Sequence, residues 1–213
     1  MATNSSYLII SDTAMVETTV NKSRFIGVTF PVENMEEIKS LIATLKRSNK
    51  DAKHIAYAYI LGADSSIAKS NDDGEPAGSA GAPIYQAIRE KKLTNVLVAV
   101  VRYYGGVQLG KSRLTRVYYS AAANAIANSR KSKMIYCGIY DIRVPYSDVA
   151  GISKLLSEKG AAIIEKNFDD SMPIIKCAIP DEICNKLTED IRSRVKEGVQ
   201  MIRTSSEYYK FLL

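Results

Sequence analysis

The chain has 213 residues, of which 46% are hydrophobic and 24% charged, proportions that are typical of a globular protein in water. This length allows one large domain or two small ones. The formal net charge of +6 favours anionic partners without selecting a particular one. The longest apolar stretch, residues 95–101, is far too short to span a bilayer.

The N-terminal residues and the cysteines both predict a cytoplasmic protein. The first residues, MATNSSYLIISD, lack the basic region and the long apolar core of a signal peptide. Cys137, Cys177 and Cys184 are odd in number and show no Cys-x-x-Cys spacing. We therefore expect reduced thiols, without a disulfide framework and without a zinc site.

Residues 1–129 are predicted to form a first domain of strands and helices. Apolar, β-branched or alternating segments predict strands at residues 7–11, 15–20, 24–30 and 54–62. Apolar residues at a 3.6-residue period predict an amphipathic helix within residues 33–50, and Pro83 opens a short second helix. The apolar run NVLVAVVRYY predicts a strand buried on both faces at the centre of the sheet. A helix rich in small residues follows over residues 114–129, with Ser112 as its predicted cap.

Residues 134–213 are predicted to form a second domain after a polar linker at residues 129–133. The pattern is a strand (134–144), a helix (147–159), a strand (161–168), a turn at 169–170, a strand (173–179), a helix (181–196) and a strand (199–205). This βαββαβ order is that of ferredoxin-like domains. The fold class predicted for the whole chain is therefore α+β, in two domains.

The stretch NDDGEPAGSAGAP, residues 71–83, gathers Asp72, Asp73 and Glu75 in a loop with little hydrophobic bulk. Three carboxylates at this spacing could hold Mg²⁺, although the spacing differs from that of a calcium loop. An acid/base pair is a second alternative, which would need one carboxylate protonated and one ionised. The structural alternative is an Asx turn at Asp72 or Asp73, with Gly74 at positive φ.

A second loop, VVRYYGGVQLGKSRLTR, joins the central strand to the last helix of the first domain. Three glycines permit tight turns, and a helix N-terminus surrounded by cations favours a bound anion. The alternative is a solvated basic face without a ligand. The segment GGVQLGKS matches the pattern of a phosphate-binding P-loop, but no second acidic strand or repeated βα pattern supports an ATPase.

Two types of ring side chain in this region also leave alternatives open. Tyr103 and Tyr104 adjoin arginines, so they could stack on nucleobases, whereas many such tyrosines pack against the core and expose only their hydroxyls. His54 is the only histidine and starts a predicted strand, a position typical of a structural residue.

Taken together, KSRFI at residues 22–26, His54 with AYAYI, DDGEPAGSAGAP and VVRYYGGVQLG resemble the IMPACT/YigZ family over about residues 15–127. The resemblance implies a first domain like the second domain of small-subunit ribosomal protein five. It also implies a ferredoxin-like second domain similar to domain five of elongation factor G. The family-motif residues of the first loop region are His54, Asp72, Asp73, Gly74, Glu75, Pro76, Gly78 and Gly81.

The sequence departs from the family pattern in the second loop. Where the family usually has small residues after the Leu-Gly pair, this chain has Lys111-Ser112-Arg113. The change adds two positive charges at the start of the helix, which fits an anion site that uses side chains as well as backbone.

The expected function is that of a non-catalytic protein that binds RNA or the ribosome in a translation-related regulatory role. The eukaryotic relatives regulate the amino-acid-starvation response through protein partners and an added N-terminal domain, so we do not expect that pathway to carry over. The residues predicted to form the anion or nucleic-acid site are Arg102, Tyr103, Tyr104, Gly105, Gly106, Gly110, Lys111, Ser112, Arg113 and Arg116.

Two other functions remain open. The first is a metal-assisted phosphohydrolase or phosphotransferase that uses the DDGE residues, and the second is a protein–protein adaptor. In the preferred reading the acids serve loop architecture and charge balance, and neither a cofactor nor a metal ion is expected. The oligomeric state is left open.

Overall fold

The structure is a computed structural model that describes residues 6–168, 172–195 and 198–213. The turn predicted at residues 169–170 and the end of the helix predicted at residue 196 lie outside these ranges. The chain divides into two compact units, Met1–Lys133 with Leu212–Leu213, and Met134–Phe211. No helix in the described ranges is both long and apolar enough to span a membrane.

The first unit is built around a five-stranded antiparallel sheet with the strand order β2-β3-β6-β4-β5. The elements of this unit, in chain order, are β1 (Ser6–Ile10), β2 (Ala14–Val20), β3 (Ser23–Pro31), α1 (Met35–Ser48), β4 (His54–Leu61), β5 (Ile67–Asn71), α2 (Gly81–Glu90), β6 (Val96–Tyr103) and α3 (Lys111–Asn128).

Helices cover both faces of this sheet. β6 lies at its centre, and six consecutive residues from Val96 to Val101 are buried, as the continuous apolar run predicts. Helices α2 and α3 pack on one face, and α1 packs through Ile38 on the other. Gly27 of β3 allows a close approach, because a Cβ at this position would lie 2.3 Å from the backbone oxygen of Ala121 in α3.

The second unit has the ferredoxin-like order of elements. They are β7 (Lys131–Arg143), a 3₁₀ turn (Tyr146–Asp148), α4 (Val149–Glu158), β8 (Ala162–Asn167), β9 (Ile174–Pro180), α5 (Asp181–Arg194) and β10 (Gln200–Leu212). β7 pairs with β9 and with β10, and β9 pairs with β8. The α4 and α5 residues Ile152, Leu156, Leu187 and Ile191 join the buried core of this unit. The predicted α+β fold with a βαββαβ second domain is confirmed.

Three local predictions differ from the structure. Strand β5 was not predicted, because IAKSN has no apolar alternation and its residues are largely exposed. Helix α3 begins at Lys111 rather than after Ser112, and its cap is Gly110, which makes no side-chain cap and has a φ of 70°. The linker predicted at residues 129–133 contains the first residues of β7, which starts at Lys131.

Candidate functional site

Antiparallel pairing brings the acidic loop and the central strand together. His54 at the start of β4 lies opposite Arg102 near the end of β6. β5 runs back along β4 and ends at Asn71, so the acidic loop begins beside the same end of the sheet. Residues that are distant in sequence therefore meet at the same end of the sheet.

A buried hydrogen-bonded cluster forms there around Glu75. Its Oε1 accepts from Nη1 of Arg102 at 2.6 Å and from the hydroxyl of Tyr118 at 2.8 Å. Nε2 of His54 lies 3.8 Å from the same oxygen. Burial, together with the charge of Glu75, raises the pKa of the Tyr118 hydroxyl, which therefore remains a hydrogen-bond donor. Glu75 thus ties α3, β4 and β6 to the acidic loop.

His54 is also held by the backbone of the acidic loop. Its Nδ1 lies 2.7 Å from the carbonyl oxygen of Asp73. Since a carbonyl oxygen can only accept, Nδ1 carries the hydrogen in this contact. Gly74 follows at a φ of 85°, the positive value predicted for it. The histidine therefore has a structural role in this loop.

Asp72 satisfies backbone N–H groups at the start of α2. Its Oδ1 accepts from Ala80 at 3.0 Å and from Gly81 at 2.8 Å, and its Oδ2 accepts from Gly78 at 2.9 Å. Burial opposes ionisation of Asp72, but these donors and the nearby Lys111 outweigh it and hold the pKa of the carboxyl below its usual value.

Asp73 joins the loop to α1 and β4. Its Oδ1 accepts from Nζ of Lys46 at 2.9 Å, and its Oδ2 accepts from the backbone N–H of Ile55 at 2.7 Å. Burial again opposes ionisation, but these hydrogen bonds hold the pKa of the carboxyl below its usual value. The backbone N–H of Asp73 donates to Oδ1 of Asn71 at 2.7 Å, so the Asx turn is formed by Asn71.

The three carboxylates of the acidic loop therefore serve separate partners. Asp72 binds backbone N–H groups, Asp73 binds Lys46 and a strand N–H, and Glu75 binds Arg102 and Tyr118. Across residues 6–168, 172–195 and 198–213, no group of three or more His, Cys, Asp or Glu side chains is placed to hold a metal ion.

The environment of Arg102 differs from the one that the sequence predicted, in which this side chain meets a ligand phosphate. Its side chain is almost wholly buried, and Nη1 is already bound to Glu75. Its guanidinium carbon lies 5.4 Å from the ring centre of Phe25 and 5.5 Å from that of Tyr104. Nε is buried and has no hydrogen-bond partner among the described residues. Arg102 therefore acts first as the counter-ion of Glu75.

The glycine loop between β6 and α3 has a closed part and an open part. At Gly105 the backbone N–H donates to Oγ of Ser23 at 3.1 Å, and a Cβ would lie 2.1 Å from the backbone of Lys22. Gly106 and Gly110 have positive φ values of 86° and 70°, and an added Cβ would meet nothing within 4 Å at either position. The loop thus packs tightly at its start and faces open space near α3.

The start of α3 carries an exposed group of cations. Lys111, Arg113 and Arg116 are exposed and form no ion pair with any residue in the described part of the chain. They line a cavity of about 760 Å³ with Ser112, beside the edge strand β2. N–H groups in the first turn of a helix have no intrahelical acceptor, and Gly110 has no side chain to supply one. This surface, which we call the α3 cationic face, combines backbone donors with positive side chains.

The two predicted stacking tyrosines differ in their surroundings. Tyr103 donates its hydroxyl to Oδ1 of Asn49 at 2.7 Å, and the guanidinium of Arg24 lies 4.3 Å from its ring centre. Tyr104 is 46% exposed and lies beside the cavity that His54 and Arg102 line. Tyr104 therefore has the more accessible ring for a ligand base.

Sequence reasoning missed two contributors to this region. The first is Tyr118, whose buried contact with Glu75 was not predicted. Lys53 was not considered, although it lines the same cavity as His54. The available signal was the position of Tyr118 on the apolar face of α3, where a buried hydroxyl needs a partner.

The three cysteines belong to the second unit, and two of them, Cys137 and Cys177, are buried. All three cysteines are free, as predicted. Burial raises the pKa of Cys137 to about 11 and that of Cys177 to about 12, so both remain protonated near neutral pH.

The fold and the site define a two-domain α+β protein with a buried Arg–Glu cluster and an exposed cationic helix start. The Impact N-terminal domain family matches residues 21–126. The chain is 33% identical to the IMPACT family member YvyE of Bacillus subtilis over 199 residues, which cover 91% of each chain. It is 29% identical to the IMPACT family member YigZ of Escherichia coli over 177 residues, covering 82% of this chain and 86% of that one.

A solved structure has a similar fold. The crystal structure of a hypothetical protein is similar with a TM-score of 0.61 at 26% identity, covering 94% of this chain and 98% of that chain. The family match and the identity to YvyE over most of both chains show that the chain belongs to the IMPACT family.

Proposed function

We propose that this chain is a cytoplasmic, non-catalytic protein that binds RNA or an RNA surface of the ribosome, in a translation-related regulatory role. The observation that carries the proposal is the α3 cationic face, in which Lys111, Arg113 and Arg116 are exposed and form no ion pair with a residue in the described part of the chain. Cations without internal partners are available to phosphates of another molecule.

The start of α3 has cations where a helix usually carries acids, so its charge is better balanced by a phosphate from another molecule. α3 has no acidic residue in its first turn, where acids usually stabilise the helix dipole. Lysine and arginine at this position are unfavourable for the isolated helix, and a bound phosphate reverses that effect. The open glycines at 106 and 110 leave room for a nucleic-acid backbone to approach.

The buried cluster supplies the rigidity that such a face requires. Glu75 connects the acidic loop to Tyr118 of α3 and to Arg102 of β6. Asp72 and Asp73 fix the same loop through α2, α1 and β4. In this proposal the acids position the cationic face, and Tyr104 offers a ring on which an unpaired base stacks.

Two observations support a non-catalytic role. The three loop carboxylates each accept hydrogen bonds from internal donors, which hold them in the architecture of the loop. The buried thiols have raised pKa values. The translation-related part of the proposal rests on the resemblance to eukaryotic IMPACT relatives.

Filter binding to ribosomal RNA tests the proposal. We expect Arg113→Ala and Arg116→Ala each to weaken binding about fivefold, since each change removes one exposed phosphate contact worth about 1 kcal/mol. Lys69→Ala is the matched control, because Lys69 is an exposed cation on β5, the opposite edge strand of the same sheet. Unchanged binding in both arginine variants would remove the basis of the proposal.

A further inference from the structure

We propose that the cavity between the acidic loop and the glycine loop receives the terminal phosphomonoester of a nucleic-acid strand. The proposal rests on the RNA-binding function above and names the group that this part of the site recognises. The cavity has a volume of about 430 Å³. Its polar lining includes Lys53, His54, Arg102, Gly110 and Lys111.

The first argument is an unsatisfied donor in the wall of this cavity. Arg102 is only 6% exposed, and its buried Nε has no hydrogen-bond partner among the described residues. A buried polar group without a partner is costly, and native proteins rarely retain one without a reason. The ring of Tyr104 lies over this guanidinium, and Tyr104 is 46% exposed. Arg102 and Tyr104 both line the cavity, so an oxygen of a ligand held there approaches the side chain that carries the unsatisfied donor.

The second argument is the charge of the lining. Lys53 and Lys111 are exposed and form no ion pair with a described residue. The charge of Glu75, the cavity's acidic residue, is balanced by Arg102 at 2.6 Å. The lining thus has a positive excess, increased by the N-terminus of the 18-residue helix α3. A phosphomonoester carries a charge of about −1.5 to −2 near pH 7, more than the single charge of a phosphodiester.

The third argument is that this cavity adjoins the α3 cationic face. Leu109, Gly110 and Lys111 line both cavities. A strand whose end enters the smaller cavity can therefore place its following phosphates against Arg113 and Arg116 in the larger one. A terminal phosphate is joined to the strand through one oxygen only, whereas an internal phosphate continues into the strand on both sides. The end of the strand therefore fits the smaller cavity, of about 430 Å³, and the internal phosphates fit the larger one, of about 760 Å³.

Fluorescence anisotropy with the full chain tests this inference. A short single-stranded RNA of one sequence is prepared with a 5′-phosphate, with a 3′-phosphate, or with hydroxyls at both ends. We expect at least one phosphorylated form to bind about tenfold more tightly than the hydroxyl form, because the monoester gains charge-assisted hydrogen bonds. The form that gains affinity identifies the end that enters the cavity.

Two variants separate the cavity from the cationic face. Lys53→Gln is expected to bring the affinities for the phosphorylated and the hydroxyl RNA to the same value, so the ratio of the two affinities within this variant is the readout. Arg116→Gln is expected to weaken all three forms by the same factor and to preserve the advantage. An advantage that persists in Lys53→Gln reflects general attraction to a basic surface and overturns the inference.

The remaining outcomes also decide the question. Equal affinity of the wild-type chain for all three RNAs overturns the terminal-phosphate site and leaves the proposed RNA binding intact. Failure of every RNA to bind removes the proposed function and this inference with it. A nucleoside 5′-monophosphate that competes at the same concentration as the phosphorylated RNA identifies a free nucleotide as the ligand and overturns the strand end as its source.

Discussion

Glu75 is the residue on which the two loops depend. One of its oxygens accepts from both Arg102 and Tyr118, and its side chain is 3% exposed. A buried ion pair of this kind adds little to the net stability of the fold, but removal of one partner is strongly destabilising. The arginine would then be a buried charge without a counter-ion.

We expect Glu75→Gln to lower the free energy of unfolding by about 3 kcal/mol, because it leaves the buried charge of Arg102 uncompensated. The measurement is urea denaturation of the full chain, followed by circular dichroism. The control is Glu75→Gln combined with Arg102→Met, which removes both charges and is expected to be more stable than the single variant. Additive losses in the double variant would show that the two side chains are not coupled.

Asp72 gives a pH-dependent prediction. Its pKa in the folded chain lies below the unfolded value near 3.8, because backbone donors outweigh the effect of burial. The stability that it contributes is therefore present above that value and is lost as the pH falls through the folded pKa. We expect Asp72→Asn to lower the free energy of unfolding by about 1 kcal/mol at neutral pH.

The difference between wild type and Asp72→Asn should shrink as the pH falls below about 4, where wild-type Asp72 becomes protonated as well. Denaturation at a series of pH values measures it. If the difference in the free energy of unfolding stayed constant down to the lowest pH at which the chain folds, the charge of Asp72 would have no role in binding the N–H groups at the start of α2.

At the scale of elements, the packing of α3 on β3 depends on a missing side chain. A Cβ at Gly27 would lie 2.3 Å from the backbone oxygen of Ala121, so the helix could not keep its position. We expect Gly27→Ala to cost about 2 kcal/mol or more, measured as the free energy of unfolding. Gly151→Ala is the matched control, because Gly151 is exposed in α4 and an added Cβ meets nothing within 4 Å.

Gly151→Ala should raise the free energy of unfolding by about 0.5–1 kcal/mol, because alanine is the better helix former. The two identical substitutions are thus predicted to act with opposite signs. Equal effects would show that helix α3 can move away from β3 at little cost.

Helices and strands whose pattern of apolar residues follows directly from which of their faces are buried could be predicted from the sequence. The uninterrupted apolar run marks β6 as the central strand, and the 3.6-residue period marks α1. β5 could not be found in this way, because it is largely exposed and is defined by backbone pairing with β4. The start of α3 was misplaced because a glycine at positive φ, and not the serine side chain, ends the loop.

At the scale of the whole molecule, the candidate site could be predicted only in part. The sequence shows that the acidic loop and the basic loop are unusual, and a family resemblance groups them. It does not show that His54 and Arg102 are opposite one another, because that depends on the register between β4 and β6. The engagement of Arg102 by Glu75 follows from the same tertiary pairing, and it leaves three cations where the sequence predicts four.

The salt dependence of RNA affinity tests the central claim, that the α3 cationic face binds phosphates of a single strand. For an RNA with hydroxyls at both ends and with Lys111, Arg113 and Arg116 in contact, log K should fall with log salt with a slope of about −2.1, against about −2.8 if Arg102 also took part. The Arg113→Ala, Arg116→Ala double variant should show a slope of about −0.7. A wild-type slope near zero, as expected for a protein–protein adaptor, or an unchanged slope in the double variant would contradict the account.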